Sequence, residues 1–442
     1  MEDPTISIYT VPDPIRNVDS DAYERRYMTL AIDTPYDLKL KTSKGHDAVL
    51  CHAHGHLLSI LNWNRALSLN DYMLAMTKLK DQIKGCHHND ITIDSARQVL
   101  MIYKSCFIVD VLLLFYEGRL TSSVDSTCGS IYSQILWIDF LLVENQLPFL
   151  VLEKVFDMAV VDKSRYPSLV DIALYFFDHF MERDLQKPVM VSKSVHHLLH
   201  LVHHHLLPLH PPQHLNQKSH PLTNLIFSKL RSVIPLRHSP PTLLPKHNQA
   251  KQLFVIKPIP SAKRLKDTGI KFKKREGTGF QNVCFDSRHG VLEIPSLSIH
   301  SNTKILLRNL TAWEQCHSAA CAYFTAYAIF MDYIVKTDED TEILVQSGII
   351  EHSFCSNKDV TPVFNGLSTN LGYIGLEDSF LPHICNELNK YCHNPYHIWW
   401  ANLMTFYFGN PWTIILATTI IILIVFTFTQ TFFSNYSYLG LP

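Results

Sequence analysis

The sequence predicts a mainly α-helical protein with two helical lobes, a few short β-strands and one transmembrane helix near the C-terminus. Three observations support this fold class. Apolar residues recur at helical spacing over much of 46–195 and 261–408. His, Pro and basic residues dominate 196–260, which is typical of a disordered linker. A run of 18 residues without charge follows Pro411.

Composition limits the classes of function. The 442 residues exceed the size at which one hydrophobic core usually stops growing, which favours two lobes. The net charge of −1 gives no overall attraction to nucleic acid, so no nucleic-acid partner is expected. The ten cysteines are scattered without a CxxC pair, and the N-terminus lacks the pattern of a signal peptide. We therefore expect synthesis in the cytosol and reduced thiols.

The N-terminal part divides into a lead over 1–45 and a helical lobe over 46–195. Four prolines interrupt periodicity in the lead, which predicts extended chain. In the lobe, Asn70 is a good helix cap, and Pro148 interrupts one apolar segment and begins a new helix. The predicted helices cover 70–84, 94–117, 131–156 with this interruption, and 166–181.

The C-terminal lobe, 261–408, is predicted to mix strands and helices. A basic stretch precedes it, with ten Lys or Arg and one acid between 246 and 275. Alternating apolar residues and a glycine turn predict short strands at 283–285 and 291–299. Helical spacing resumes over 303–335, 339–348 and 378–391, and the apolar run 319–335 is interpreted as a buried helix.

The uncharged run WTIILATTIIILIVFTFT, 412–429, predicts a membrane anchor over 411–433. As a helix it spans about 27 Å, close to the hydrocarbon thickness of a bilayer. A buried core helix is the alternative, but core helices this long usually keep one polar face. The simplest topology is a tail anchor, in the plasma membrane, with the body in the cytosol; a glycan on Asn309 would reverse it. The residues assigned to the anchor include Pro411, Trp412, Ile414, Ile421 and Phe426.

Three stretches carry a family resemblance. WIDFLLVENQLPFLVLEKVF (137–156), the segment from SAKRLKDTGIKF to RNLTAWEQC (261–316), and FMDYIVKTDEDTEILVQSGII (330–350) resemble the plant "domain of unknown function 247" family in order and spacing. The chain departs from it at 28–38, where MTLAIDTPYDL replaces the family's VSIGPYHHG-like segment. The resemblance implies an uncharacterised plant membrane protein with no catalytic activity to carry over. Some grass members are proposed self-incompatibility determinants, which implies recognition of secreted partners.

The family motifs supply the candidate site residues. Carboxylates in the apolar pair around Pro148 have two interpretations: an acid and base with raised pKa values, or a buried hydrogen-bond network in which residues 144–146 bond the backbone. The network is favoured because no nucleophile, metal motif or phosphate loop accompanies them. Asp110 is predicted to have one buried partner. The motif residues assigned a structural role are Asp139, Glu144, Asn145, Gln146, Pro148, Arg308, Asn309, Leu310 and Glu314.

Histidines and basic residues suggest weaker sites. CHAHGH (51–56) and the cysteine and histidines at 86–88 lack a standard zinc spacing, so a metal is not expected. Nine histidines between 196 and 220 are interpreted as a solvated insertion. The basic stretch is either a solvated hinge or a surface for anionic lipid. We therefore expect no cofactor, and a bilayer and proteins as partners.

The sequence as a whole favours a membrane-anchored recognition or signalling protein, without enzymatic activity. An enzyme using carboxylates near Glu144 and a passive membrane scaffold are the alternatives.

Overall fold

The fold is mainly helical, as predicted. The structure, a computed structural model, describes residues 6–24, 45–88, 91–120, 136–181, 195–207, 256–275, 280, 282–317, 320–373, 375–377, 379–396, 399 and 411–438. The second half of the lead, the departing segment at 28–38 and most of the predicted linker therefore lie outside the described residues.

The predicted helices of the N-terminal part are present. The lead adds an α-helical turn and a 3-10 turn at Ser20–Ala22, where extended chain was predicted. The cap predicted at Asn70 was wrong, because Ser68 caps the third helix and forms a capping box with Asp71. Asp94 accepts a bond of 2.8 Å from the amide of Arg97 at the start of the fourth helix. The helices are α1 Asp13–Arg16, α2 Gly45–Trp63, α3 Leu69–Gly85, α4 Ser95–Tyr116, α5 Phe149–Ala159 and α6 Leu169–Phe180.

Part of the predicted linker is folded. Helix α7, Leu198–Leu206, has five of its apolar side chains buried, so placing the start of a linker at 196 was wrong. Its apolar residues recur at positions that share one helical face, and the histidines between them carry enough apolar ring to be buried as well. Any linker begins after this helix, in residues outside the described part of the chain.

The C-terminal part combines helices with short strands. The middle of the basic stretch forms a strand that the sequence reasoning missed, because alternation of Lys with Phe272 is weak evidence for one. The helices are α8 Ala262–Asp267, α9 Thr303–Cys316, α10 Tyr323–Ile334, α11 Asp338–Gln346, α12 Thr361–Phe364 and α13 Leu381–Cys392. The strands are β1 Lys271–Arg275, β2 Cys284–Asp286, β3 Val291–Pro295, β4 Leu297–Ile299 and β5 Ile350–His352.

The strands form two small sheets. In the first, β3 lies in the centre, parallel to β1 with Lys271 opposite Val291, and antiparallel to β2. In the second, β4 pairs in parallel with β5. The first sheet packs against α13 through Phe285 and Tyr391, whose ring centres are 5.4 Å apart.

The buried apolar side chains of both predicted lobes form one continuous cluster. Val11, Ile15 and Tyr23 of the lead belong to this cluster, although the lead was predicted only as extended chain. Burying apolar area of this extent is the main favourable term in folding. In the described residues, the predicted division into two lobes therefore does not appear as two separate cores.

The last helix, α14, runs over Pro411–Tyr438 and is about 42 Å long. Its segment Ile415–Ser434 is long and apolar enough to cross a membrane, and none of it is buried in the body. Trp412, Ile421 and Phe426 are exposed, while the side chains of Pro411 and Ile414 lie outside the description.

Helix α4 also has the length and composition of a membrane span, but 72% of its apolar window is buried inside the protein. Helix α10 is buried as predicted. The apolar side chains of α14 are therefore exposed, whereas those of the two core helices α4 and α10 are mostly buried.

Candidate functional site: a buried polar junction

The ENQLP loop before α5 is closed by its own amide side chains. Asn145 donates from Nδ2 to the carbonyl of Asp139 at 2.7 Å. Gln146 donates from Nε2 to the carbonyls of Phe140 at 2.9 Å and Leu142 at 2.7 Å. All of these groups are buried, so their bonds offset the cost of removing them from water.

The same loop holds the first turn of α7. The amide of Leu199 donates to Oε1 of Gln146 at 3.0 Å, and the amide of Phe149 donates to the carbonyl of His196 at 2.7 Å. Pro148 lies between Gln146 and α5, as predicted for the residue that begins a new helix. An orphan donor at each helix start is thereby satisfied across the junction.

Glu144 ties the lead to this loop. Its carboxylate accepts a bond of 3.1 Å from the amide of Val11 and pairs with the guanidinium of Arg16. The side chain of Glu144 is 14% exposed, so the pair is screened less by solvent than a surface ion pair.

Asn309 on α9 joins three segments. Its Oδ1 accepts from the amide of Val143 at 2.9 Å, and its Nδ2 donates to the carbonyls of Ala22 and Ile305, both at 2.8 Å. Its neighbour Leu310 is fully buried in the core. Val143, the residue directly before the ENQLP segment, is therefore bonded to the RNLTAWEQ segment of α9.

Arg308 extends the junction on the other side of α9. Its Nε lies 3.1 Å from Oδ2 of Asp19, and its Nη2 donates to the carbonyl of Gly366 at 3.3 Å. Burial would raise the pKa of Asp19, but bonds and charges from Lys304 and Arg308 outweigh it and lower the pKa below its ordinary value. Asp19 is therefore held as a carboxylate.

Glu314, one helical turn further along α9, is completely enclosed. Its carboxylate accepts from the amides of Phe324 at 3.0 Å and Thr325 at 2.7 Å, and from the hydroxyl of Thr325 at 2.8 Å. A fourth bond of 2.8 Å comes from Nε2 of His203 on α7. This carboxylate fixes the start of α10 and ties α7 to α9.

A cluster of histidines surrounds the Trp313 indole. The rings of His197, His200 and His203 lie 5.6, 5.3 and 4.8 Å from it, and His317 stacks on it at 5.0 Å. Burial, then neighbouring histidines, lowers the pKa of His197 to about 3 and that of His200 further. These three histidines of α7 are buried, and the prediction that they belong to a solvated insertion was wrong for this helix.

Asp110 has a separate network in the N-terminal part. It accepts from His56 Nδ1 at 2.7 Å, Ser59 Oγ at 2.8 Å and Trp63 Nε1 at 3.1 Å. The sequence predicted one buried partner, whereas the structure supplies three, of which His56 is basic. Within the part of the chain that the structure describes, no group of three or more His, Cys, Asp or Glu is placed to hold a metal ion.

A cavity of about 240 Å³ is lined by both halves of the chain. Ser298, His300 and Thr303 contribute polar groups to its wall. The remaining lining residues are Trp137, Phe180, Met181, Leu206, Phe280, Pro295, Ser296, Leu297, Leu306, Leu307 and Leu310.

Two carboxylates of the family motifs join separate segments of the chain. Glu144 binds the lead, and Glu314 joins α9 to α7 and α10. Sequence reasoning missed Arg16 and His203, the partners of Glu144 and Glu314, and Asp19, the partner of Arg308. The only signal for His203 was the apolar spacing of the surrounding leucines.

The fold and junction together define a mainly helical protein whose N-terminal lead is built into its core and whose chain continues into a long exposed apolar helix. The chain belongs to the DUF247 family, described as plant proteins of unknown function, whose model matches residues 8–426. A UPF0481 protein of Arabidopsis thaliana is 26% identical over 84% of this chain and 75% of its own length. A putative UPF0481 protein of the same plant is 21% identical over 98% of this chain and 90% of its own length. No solved structure matches the chain significantly.

Proposed function

We propose that the protein is anchored in a membrane by α14 and acts by binding other proteins rather than by catalysis. The observation that carries the first half is the exposure of Ile415–Ser434, an uncharged helix with none of its apolar window buried. In water, exposed apolar area costs about 25 cal/mol per Å², whereas a bilayer accommodates it and a helix satisfies its own backbone.

The proposed topology is a tail anchor in the plasma membrane with the body in the cytosol. A cytosolic body suits the reduced thiols expected from the scattered cysteines.

The proposal that the protein binds other proteins and is not an enzyme rests on the partners of the buried carboxylates. Glu144 is engaged by Arg16 and Val11, and Glu314 by four donors, which supports a structural role for both carboxylates. A rigid helical body on an anchor suits protein recognition, and recognition of the self-incompatibility type is one instance that the family resemblance suggests. Catalysis at Glu144 and passive scaffolding are the alternatives.

Alkaline carbonate extraction of full-length protein from plant membranes tests the anchor. We expect wild type in the pellet, and release of a variant with Ile421→Lys and Phe426→Lys, because each charge at a helix centre costs about 3 kcal/mol to insert. The matched control, Ile421→Leu and Phe426→Leu, should stay in the pellet. Wild type in the supernatant would refute the anchor, and protease protection of an N-terminal tag in sealed vesicles would refute the cytosolic body.

Protein recognition is tested with the full-length protein in nanodiscs. We expect saturable binding of a discrete partner from leaf or pollen extract, displaced by untagged protein. A passive scaffold would give no saturable partner.

A further inference from the structure

We propose that the exposed cations around the C-terminal end of α13 form a docking surface for anionic lipid headgroups next to the anchor. This inference rests on the proposed function, in which α14 crosses the bilayer and the body is cytosolic. The basic patch consists of Lys257, Lys266, Lys271 and Arg288, all of them exposed.

Three separate segments bring the basic patch to the end of α13. Asn389 donates to the carbonyls of Lys257 at 3.4 Å and Pro258 at 3.3 Å. The hydroxyl of Thr268 lies 3.6 Å from the Cys392 sulfur. Lys266 is two residues before Thr268 in the chain. The basic patch is therefore assembled around residues 389–392 by the fold.

The sheet contributes the other two cations. The amide of Lys271 donates to the carbonyl of Gly290 at 2.8 Å, and Gly290 lies against the ring of Tyr391. Arg288 is in the same turn, two residues before Gly290. Lys271 and Arg288 therefore lie beside the same end of α13.

Ion pairing separates the basic patch from most of the basic stretch. Lys263 pairs with Glu339, Lys273 and Arg275 with Glu293, and Lys274 with Glu351, whereas Arg264 is exposed outside the patch. Nearby, Glu387 pairs with Lys390. Among the described residues, the four cations of the patch have no ion-pair partner. The exposed acids beside them are Asp267 and Asp286, whose partner His289 is charged only when protonated, so the patch keeps a local positive excess.

Chain connectivity limits how far this excess can lie from α14. Residues 393–410 connect α13 to α14, and even fully extended they span at most about 60 Å. Tyr396 and Trp399, at the start of this connection, are 62% and 58% exposed, and such aromatic side chains favour the membrane interface. A short tether gives the patch a high effective concentration at the headgroups.

Lysine footprinting of the full-length protein in nanodiscs tests the proposal, with phosphatidylcholine discs compared against discs containing 30% phosphatidylserine. Labelling of Lys257, Lys266 and Lys271 should slow by about fivefold in the anionic discs. The attraction of one lysine to such a surface is about 1 kcal/mol, which corresponds to about a fivefold change in the exposed population. Labelling of the distant Lys78 and Lys80 should not change. Salt at 0.5 M should restore the rates, because the screening length falls to about 4 Å.

A charge-reversal variant tests the patch through the labelling rate of Lys390. This lysine lies at the end of α13 and is not mutated in the variant. With Lys257→Glu, Lys266→Glu and Lys271→Glu, anionic lipid should no longer protect Lys390. The control Lys78→Glu, Lys80→Glu and Lys358→Glu makes the same change in net charge and should keep the protection. Loss of protection in both variants would overturn the proposal.

Three further outcomes are diagnostic. Equal labelling of the wild type in both kinds of disc would overturn the lipid surface while leaving the anchor intact. Equal protection by soluble inositol hexakisphosphate in neutral discs, without an effect of anionic lipid, would assign the patch to a soluble anion and also overturn it. A chain that does not enter discs at all would instead contradict the anchor.

Discussion

Nε2 of His203 on α7 lies 2.8 Å from Oε1 of Glu314 on α9, and the two side chains are 3% and 0% exposed. This bond joins a helix from the predicted linker to the helix that carries the RNLTAWEQ motif. Because Glu314 also accepts from the start of α10, one carboxylate holds three helices in register.

Replacing Glu314 with Ala should be strongly destabilising. The change leaves the Nε2 proton of His203 and two amides of α10 buried without their acceptor, which costs about 3–5 kcal/mol of unfolding free energy. Urea denaturation of full-length protein in detergent, followed by circular dichroism, measures it. The exposed Glu339→Ala is the control and should change stability by less than about 1 kcal/mol. Equal losses in both variants would contradict the role of the enclosed carboxylate.

Burial of the histidine cluster makes stability depend on pH. Burial lowers the pKa of His197 to about 3 and that of His200 further, below the value of about 6.5 in unfolded chains. The unfolded chain therefore binds more protons as pH falls, so stability is complete above pH 6.5 and decreases below it. The loss should approach about 1.4 kcal/mol per pH unit for each such histidine.

The measurement is unfolding free energy at pH 7.5, 6.5 and 5.5. His200→Phe keeps an aromatic ring against Trp313 but removes one titrating group. The loss of unfolding free energy between pH 6.5 and 5.5 should therefore be smaller by about 1 kcal/mol, because an unfolded histidine is already about half protonated at pH 6.5. The exposed His179→Phe on α6 is the matched control and should leave the slope unchanged. An unchanged slope in the α7 variant would show that His200 is not held neutral.

The sequence predicted the helical elements better than the junction between them. Local apolar spacing was sufficient to find α3, α4, α6 and α13, although the cap of α3 is Ser68 and not the predicted Asn70. Local signals failed at α7, where histidines lie between the apolar residues of the buried face. They also failed at β1, where Phe272 is the only apolar residue among four basic ones. The pairs Glu144–Arg16 and Glu314–His203 join residues far apart in sequence, so their partners were set by tertiary packing that no local pattern records.

Glu144→Gln separates a structural from a catalytic role. The neutral amide keeps the size but loses the charge that pairs with Arg16, so stability should fall by about 1–3 kcal/mol. Amide hydrogen exchange over residues 6–24 should accelerate, because the lead loses one of its attachments. The control Asp13→Asn removes an exposed charge from the same lead and should have little effect. Unchanged exchange and stability, with a loss of some enzymatic turnover, would favour the catalytic alternative.

Gly290 should tolerate no side chain, for two separable reasons. Its φ of +64° is left-handed, which costs a residue with a Cβ about 1–2 kcal/mol. A Cβ there would also lie 2.5 Å from the hydroxyl of Tyr391, so the Tyr391 ring must move away from its packed position. Gly118 has a similar φ of +69° with open space around it, which makes Gly118→Ala the control for backbone strain alone.

We therefore expect Gly290→Ala to lose more unfolding free energy than Gly118→Ala, and the excess to come from Tyr391. A double-mutant cycle with Tyr391→Leu measures that excess directly, since removing the ring relieves the contact but not the strain. The coupling between positions 290 and 391 should be at least about 0.5 kcal/mol in the relieving direction. Additive losses would mean that the β2–β3 turn and α13 do not pack as described, and the arrangement of the basic patch around α13 would fail with them.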